Sequence, residues 1–266
     1  MNKKQPKIIA VVNQKGGVGK TTTSVNLATA LAASERSVLL IDFDPQGNAS
    51  TGLGVSNTDR NITSYNLIIG DVGIKDAAMK TSIPRLSIVP ANIDLSGAEI
   101  ELVSMVRREM RLKEAFAAEY LDYDYILIDC PPSLGLVTLN ALVAANSVLI
   151  PLQCEFYALE GLSHLLKTID LVKNKLNKSL HIQGIVLTMY DKRNSLTAQI
   201  EEDVRDFLGE TVYKTVIPRN VRISEAPSHG KPALIYDLSC AGSQAYLKLA
   251  SEMLRRERSS ANLQAA

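Results

Sequence analysis

The stretch Lys15-Gly16-Gly17-Val18-Gly19-Lys20-Thr21-Thr22 constrains this chain more than any other. A short apolar run, residues 8–13, precedes it, and a helix-length segment, residues 20–33, follows. A glycine-rich turn between a strand and a helix is the setting a phosphate-binding loop requires. Glycines let backbone N–H groups close around anionic oxygens without a Cβ clash. The helix N-terminus adds unpaired donors and the positive end of a dipole. In such a loop Lys20 lies against the β- and γ-phosphates. Thr21 offers its hydroxyl to Mg²⁺, an ion that keeps several of its waters. The general loop begins with glycine, where this chain has Gln14, and a second lysine, Lys15, comes directly after it.

The rest of the chain alternates apolar runs with amphipathic stretches. Strands are expected at residues 8–13, 38–43, 86–90, 125–129, 147–151, 182–189 and 212–217. Helices are expected at 20–33, 96–119, 136–145, 158–176, 196–208 and 243–257. Val38-Leu39-Leu40-Ile41 and Ile126-Leu127-Ile128 are continuous apolar runs, as in parallel strands covered on both faces. The pattern predicts an α/β fold, doubly wound, with a mostly parallel sheet flanked by helices. Residues 58–81 are the least regular and read as an insertion at the sheet edge. Met105 to Met110, with Arg107 and Arg108, reads as a solvent-facing break. One domain, residues 1–258, is expected, with a frayed or disordered tail at 259–266.

The chain has 266 residues, 46% hydrophobic and 21% charged, with a formal net charge of +1. That suits one sizeable core and excludes a strongly basic nucleic-acid protein, so any DNA contact must come from a local patch. Cys130, Cys154 and Cys240 are widely spaced and include no Cys-x-x-Cys, which points to a reducing cytoplasm rather than a disulfide or zinc framework. No leader sequence is visible, and no apolar run approaches the roughly 20 residues that cross a bilayer.

Two acidic strand ends complete the expected site. Asp42 and Asp44 close the second strand, at the edge where a parallel sheet presents its ligand crevice. Two residues apart, they can point the same way if the strand continues. Tyr125-Ile126-Leu127-Ile128-Asp129 is an apolar strand closing on one carboxylate, and Asp129 would hold Mg²⁺ through water.

Lys-Gly-Gly-x-Gly-Lys-Thr-Thr resembles the deviant Walker A motif of the ParA/MinD family of P-loop ATPases. The similarity runs from Lys7 to about Arg256. Asn13-Gln14-Lys15-Gly16-Gly17, Asp44-Pro45-Gln46-Gly47-Asn48, Asp129-Cys130-Pro131-Pro132-Ser133, Gln153-Cys154-Glu155 and Glu225-Ala226-Pro227-Ser228-His229-Gly230-Lys231-Pro232 are similar to its ParA/Soj chromosome-partition branch. The resemblance implies that Lys15 reaches across a two-fold ATP-dependent homodimer to the partner's nucleotide, a cation supplied in trans during phosphoryl transfer. It implies that Asp44, in the switch I region, handles the attacking water and that Asp42 is more structural. Residues 131–135 resemble switch II. Pro218 and Asn220 are assigned to the adenine, and Glu155 to a ribose. Arg193, Arg219 and Arg222 are assigned to non-specific double-stranded DNA. A ParB-like centromere-binding protein is the implied partner, and a bacterial nucleoid the implied location. A MinD-like membrane-cycling ATPase is the alternative, since residues 246–256 could form an amphipathic membrane helix. An iron–sulfur carrier on this fold would need paired interface cysteines, which Cys130, Cys154 and Cys240 do not offer.

Overall fold

A computed structural model describes residues 5–265, with side chains through residue 259. Its strands are β1 (Lys7–Val11), β2 (Val38–Asp42), β3 (Met79–Lys80), β4 (Leu86–Val89), β5 (Tyr125–Asp129), β6 (Ser147–Gln153) and β7 (His181–Thr188). Among the described residues they form one seven-stranded sheet in the order β3-β4-β2-β5-β1-β6-β7. All neighbours are parallel except β3, which pairs antiparallel with β4 at the edge. The expected irregular insertion at 58–81 therefore supplies the edge strand.

The helices are α1 (Lys20–Ala33), α2 (Asn48–Gly52), α3 (Ser64–Ile69), α4 (Ile74–Ala77), α5 (Leu95–Glu101), α6 (Arg111–Ala118), α7 (Leu136–Ala144), α8 (Ala158–Lys175), α9 (Ser195–Leu208), α10 (Val221–Glu225), α11 (Ala233–Tyr236) and α12 (Ala241–Ala265). Side chains alternate across each strand with period two. Ile126 and Ile128 join a core with α3 and α5 to α8, while Tyr125 and Leu127 join a second core with α1 and α12. Both faces of β5 are therefore covered, which is why its sequence is apolar without interruption. The same placement explains α12. Tyr246, Leu249, Ala250 and Met253 are buried in the second core, so its apolar side serves packing within the chain. Among the described residues no helix is long and apolar enough to cross a membrane.

Two expectations need correction. Residues 212–217 form no strand. Beside β7 they make only isolated contacts: the bridge Ile185–Val212, and Tyr213 N and Ile217 N donating to the Ile185 and Leu187 carbonyls, each at 2.8 Å. Midway, the backbone N–H groups of Lys214 and Thr215 donate to the Glu252 carboxylate on α12, each at 2.9 Å, and so cannot enter a ladder. The expected helix at 96–119 is two helices. After α5 and a 3₁₀ turn, Arg107 adopts φ 54°, which no helix interior accommodates, and Asn140 binds the Arg108 carbonyl at 2.8 Å. The break at Met105 to Met110 is where composition put it. At the C-terminus, α12 is described to Ala265.

β1 lies between β5 and β6, so the chain leaves β1 toward one half of the sheet and returns to build the other. The loop after β1 thus sits at the point where the winding changes direction, the usual location of a ligand crevice.

Candidate functional site

The loop after β1 is shaped by glycine. Gly17 and Gly19 adopt φ 75° and 85°, left-handed values that a side chain would oppose. A Cβ added at Gly16 or Gly17 would meet nothing within 4 Å, so open space lies beside the loop there. Val18 is buried, and its carbonyl accepts from Thr188 Oγ1 at 2.8 Å, pinning the loop's apex to the end of β7. Gly19 caps α1 without a side-chain hydrogen bond, and Thr21 and Thr22 behind it are half-buried.

The two lysines of the loop differ. Lys20 is only 7% exposed, and its Nζ donates to the Lys15 carbonyl at 3.0 Å. Burial pushes its pKa down, while the charges of Asp129 and Asp44 pull it back up. Lys15 keeps a side chain 46% exposed, and its Nζ forms an ion pair with Glu155, just beyond β6. Glu155, expected at a ribose, is thus tied to the loop's first lysine.

Asp42 and Asp129 end adjacent strands and are paired in register. Both are fully buried. Asp129 Oδ1 accepts from Ser24 Oγ at 2.8 Å, and Thr21 also bonds this carboxylate. Its Oδ2 is buried without a partner. Burial above all, then the nearby charge of Asp42, raises the Asp129 pKa. Asp42 is held differently. Its Oδ2 accepts from Ser50 N at 2.8 Å and Ser50 Oγ at 2.7 Å, and its Oδ1 from Asp44 N at 3.3 Å. Its lone pairs are spent on the loop, in keeping with a structural role. Asp44 is half-buried, and its Oδ1 accepts from Gln46 N at 3.0 Å.

A cavity of about 600 Å³ opens beside the glycine loop, lined by Gly17, Gly19, Thr22, Pro218, Arg219 and Asn220 among others. Pro218 and Asn220 therefore share one wall, and Asn220 also caps α10 by accepting from Arg222 N at 2.9 Å. The three arginines do not form one free patch. Arg193 pairs with Asp191 at 2.8 Å, and Asp191 also feels the charge of Arg219. Arg222 pairs with Glu225 at 3.0 Å and Asp237 at 3.6 Å. Cys130, Cys154 and Cys240 are all free and buried, and no group of three or more metal-ligating side chains occurs among the described residues.

Sequence reasoning missed Ser24, Thr188 and Arg60. Ser24 follows Lys20 by one helical turn, so its contact with Asp129 had a weak signal in the spacing. Thr188 and Arg60 had none, because both contacts depend on the tertiary fold.

A family described as AAA domain matches residues 6–182. The chain is 59% identical over 254 residues to the chromosome partitioning protein ParA of Caulobacter vibrioides, covering 95% of each. It is 56% identical over 247 residues to the sporulation initiation inhibitor protein Soj of Bacillus subtilis, covering 93% of this chain and 98% of that one. The solved structure of cobyrinic acid a,c-diamide synthase from Mycobacterium smegmatis, with bound ATP analog and magnesium, matches with a TM-score of 0.83 and 37% identity, covering 96% of this chain and 97% of that chain.

Proposed function

The chain belongs to the ParA/Soj/MinD family of P-loop ATPases that act in partitioning, and from that premise we propose that two copies close on each other when loaded with ATP and that the closed pair binds double-stranded DNA without reading its sequence. Hydrolysis, stimulated by a ParB-like centromere-binding partner, reopens the pair and frees the DNA. The observation that carries this reading is the division between the two lysines. Lys20 is buried against its own loop, whereas Lys15 stays at the surface, where a second subunit can receive it.

The residues present suit Mg²⁺ and a triphosphate. The unpartnered, buried Asp129 Oδ2 is an acceptor that suits a cation's hydration shell, and a Cβ at Gly16 or Gly17 would fill the space beside the loop that an anion needs. Gly16 to Thr22 would surround the phosphates, and Thr21 and Asp129 would hold Mg²⁺, which neutralises phosphate charge. Lys20 counters charge from its own subunit, and Lys15 from the neighbour. Pro218 and Asn220 flank the base, and Glu155 lies near the ribose side once it releases Lys15. Asp44, two residues beyond β2 and half-buried, orients water.

For DNA, Arg193, Arg219 and Arg222 remain the candidates. The ion pairs that hold Arg193 and Arg222 are exposed and screened by water, so phosphates can displace them. Pairing two subunits doubles the patch, and contacts to phosphate alone predict binding that falls steeply with salt. Retention on duplex DNA, compared with ATP, with ADP and without nucleotide, tests the proposal. Retention with ATP alone supports it; equal retention in all three conditions contradicts it. Arg219→Glu should weaken retention and reduce the salt slope by about one unit per lost phosphate contact while ATP-dependent pairing survives.

A further inference from the structure

Arg60 is 7% exposed, yet none of its hydrogen bonds goes to a carboxylate. Nη1 donates to the Ala91 carbonyl at 3.0 Å, and Nη2 to the Val55 carbonyl at 2.9 Å and to Thr51 Oγ1 at 2.8 Å. Its Nε is buried without a partner. A buried cation satisfied mainly by carbonyls is a poor source of stability, since well-packed apolar residues often do as well or better in such places. What it does supply is direction.

The contacts form a relay. Thr51 Oγ1 takes the guanidinium's hydrogen bond and passes its own to the Gly47 carbonyl at 3.1 Å. Gly47 N donates to the Asp44 carbonyl at 2.9 Å. Gly47 sits at φ 62°, and a Cβ there would lie 2.2 Å from Arg60 Nη1 and 2.7 Å from the Ala91 carbonyl, so the guanidinium is laid directly on the turn. The opposite flank is closed by the same residue, Ala91, whose N–H donates to Ser50 Oγ at 3.0 Å while Ser50 binds Asp42. The segment from Asp44 to Thr51 is thereby fastened to Ala91, just beyond β4, on one side and to Asp42 at the end of β2 on the other.

We infer that Arg60, acting through Thr51 and Gly47, is a positioning residue that fixes the turn carrying Asp44 for the hydrolytic step. The inference rests on the reading of Asp44 as the residue that orients the attacking water. Arg60 touches no reacting atom. It holds the turn from behind, so that nucleotide binding at the glycine loop is independent of it and turnover is not.

The test uses the full-length chain, with ATP turnover, affinity for ATPγS and thermal midpoint measured on each variant. Thr51 is exposed, so Thr51→Val removes both relay hydrogen bonds without opening a cavity. Turnover in Thr51→Val should fall about tenfold at unchanged ATPγS affinity, the pattern of a misplaced catalytic group rather than of lost binding. Thr51→Ser, which keeps the hydroxyl, should recover the parent rate to within about twofold. Arg60→Met should behave as Thr51→Val does. Thr51→Val and Arg60→Met turning over at the parent rate, while Asp44→Ala is inactive, overturns the relay and leaves the role of Asp44 standing. Thr51→Ser as slow as Thr51→Val also overturns it, since the hydroxyl then does nothing. Normal turnover in Asp44→Ala removes the underlying reading itself.

Discussion

Asp42 and Asp129 face each other from neighbouring strands in full burial, and their protonation links the site to the stability of the whole chain. Burial raises both carboxyl pKa values, Asp129 to about 7 and Asp42 to about 6, from an ordinary 3.8. The folded protein therefore keeps protons that the unfolded chain gives up near pH 4. Without metal or nucleotide, stability should fall as pH rises from about 4 through about 7. Thermal midpoints in EDTA should be higher at pH 5.5 than at pH 7.5, and Asp129→Asn should flatten the difference. A parent protein with the same pH dependence as Asp129→Asn contradicts this. Mg²⁺ with ATP should raise the midpoint most at pH 7.5, where the carboxylates are ionised. At this scale the spacing of the motifs was enough to bring Lys20, Thr21 and Asp129 into one neighbourhood, with Thr21 bonding the Asp129 carboxylate and Lys20 in its field. The Lys15–Glu155 ion pair and the Arg60 relay were not legible, because each joins residues brought together only by the order of the strands.

Glu99 shows how one element holds another. α7 begins at Gly135 without a cap of its own, and Glu99 from α5 supplies one. Its Oε2 accepts from Leu136 N at 2.8 Å and its Oε1 from Val137 N at 3.1 Å. A carboxylate on free N–H groups at the positive end of a helix dipole contributes about 1–2 kcal/mol. Glu99→Ala should lower the unfolding free energy in urea by about that amount, and a loss below about 0.3 kcal/mol would remove the cap from the account. Gly135→Ala should cost no more than losing that cap, since its Cβ would lie 2.2 Å from Glu99 Oε1, the far end of a side chain that can swing away. Elements with continuous apolar runs, such as β2 and β5, could be read from sequence because burial on both faces leaves one solution. Residues 212–217 misled for a physical reason: their β-branched composition suits a strand, but Glu252 captures the N–H groups that a ladder needs.

Among the described residues one sheet divides two apolar cores, with the acidic strand ends and the glycine loop gathered at one edge. That architecture followed from alternating β and α patterns, since parallel strands need crossovers and crossovers supply both layers. Leu127, fully buried at the centre of β5, bears on the core behind the loop; Leu127→Ala should cost about 2–5 kcal/mol of unfolding free energy. What a single chain does not contain is its neighbour, and the proposed cycle depends on one. The most direct measurement is the light-scattering mass of Asp44→Ala with Mg²⁺ and ATP, with and without an added Lys15→Gln substitution. The account predicts twice the mass of one chain with ATP, one chain with ADP, and one chain in both nucleotides once Lys15 is replaced. A single-chain mass with ATP when Lys15 is intact, or a doubled mass when it is not, would contradict it.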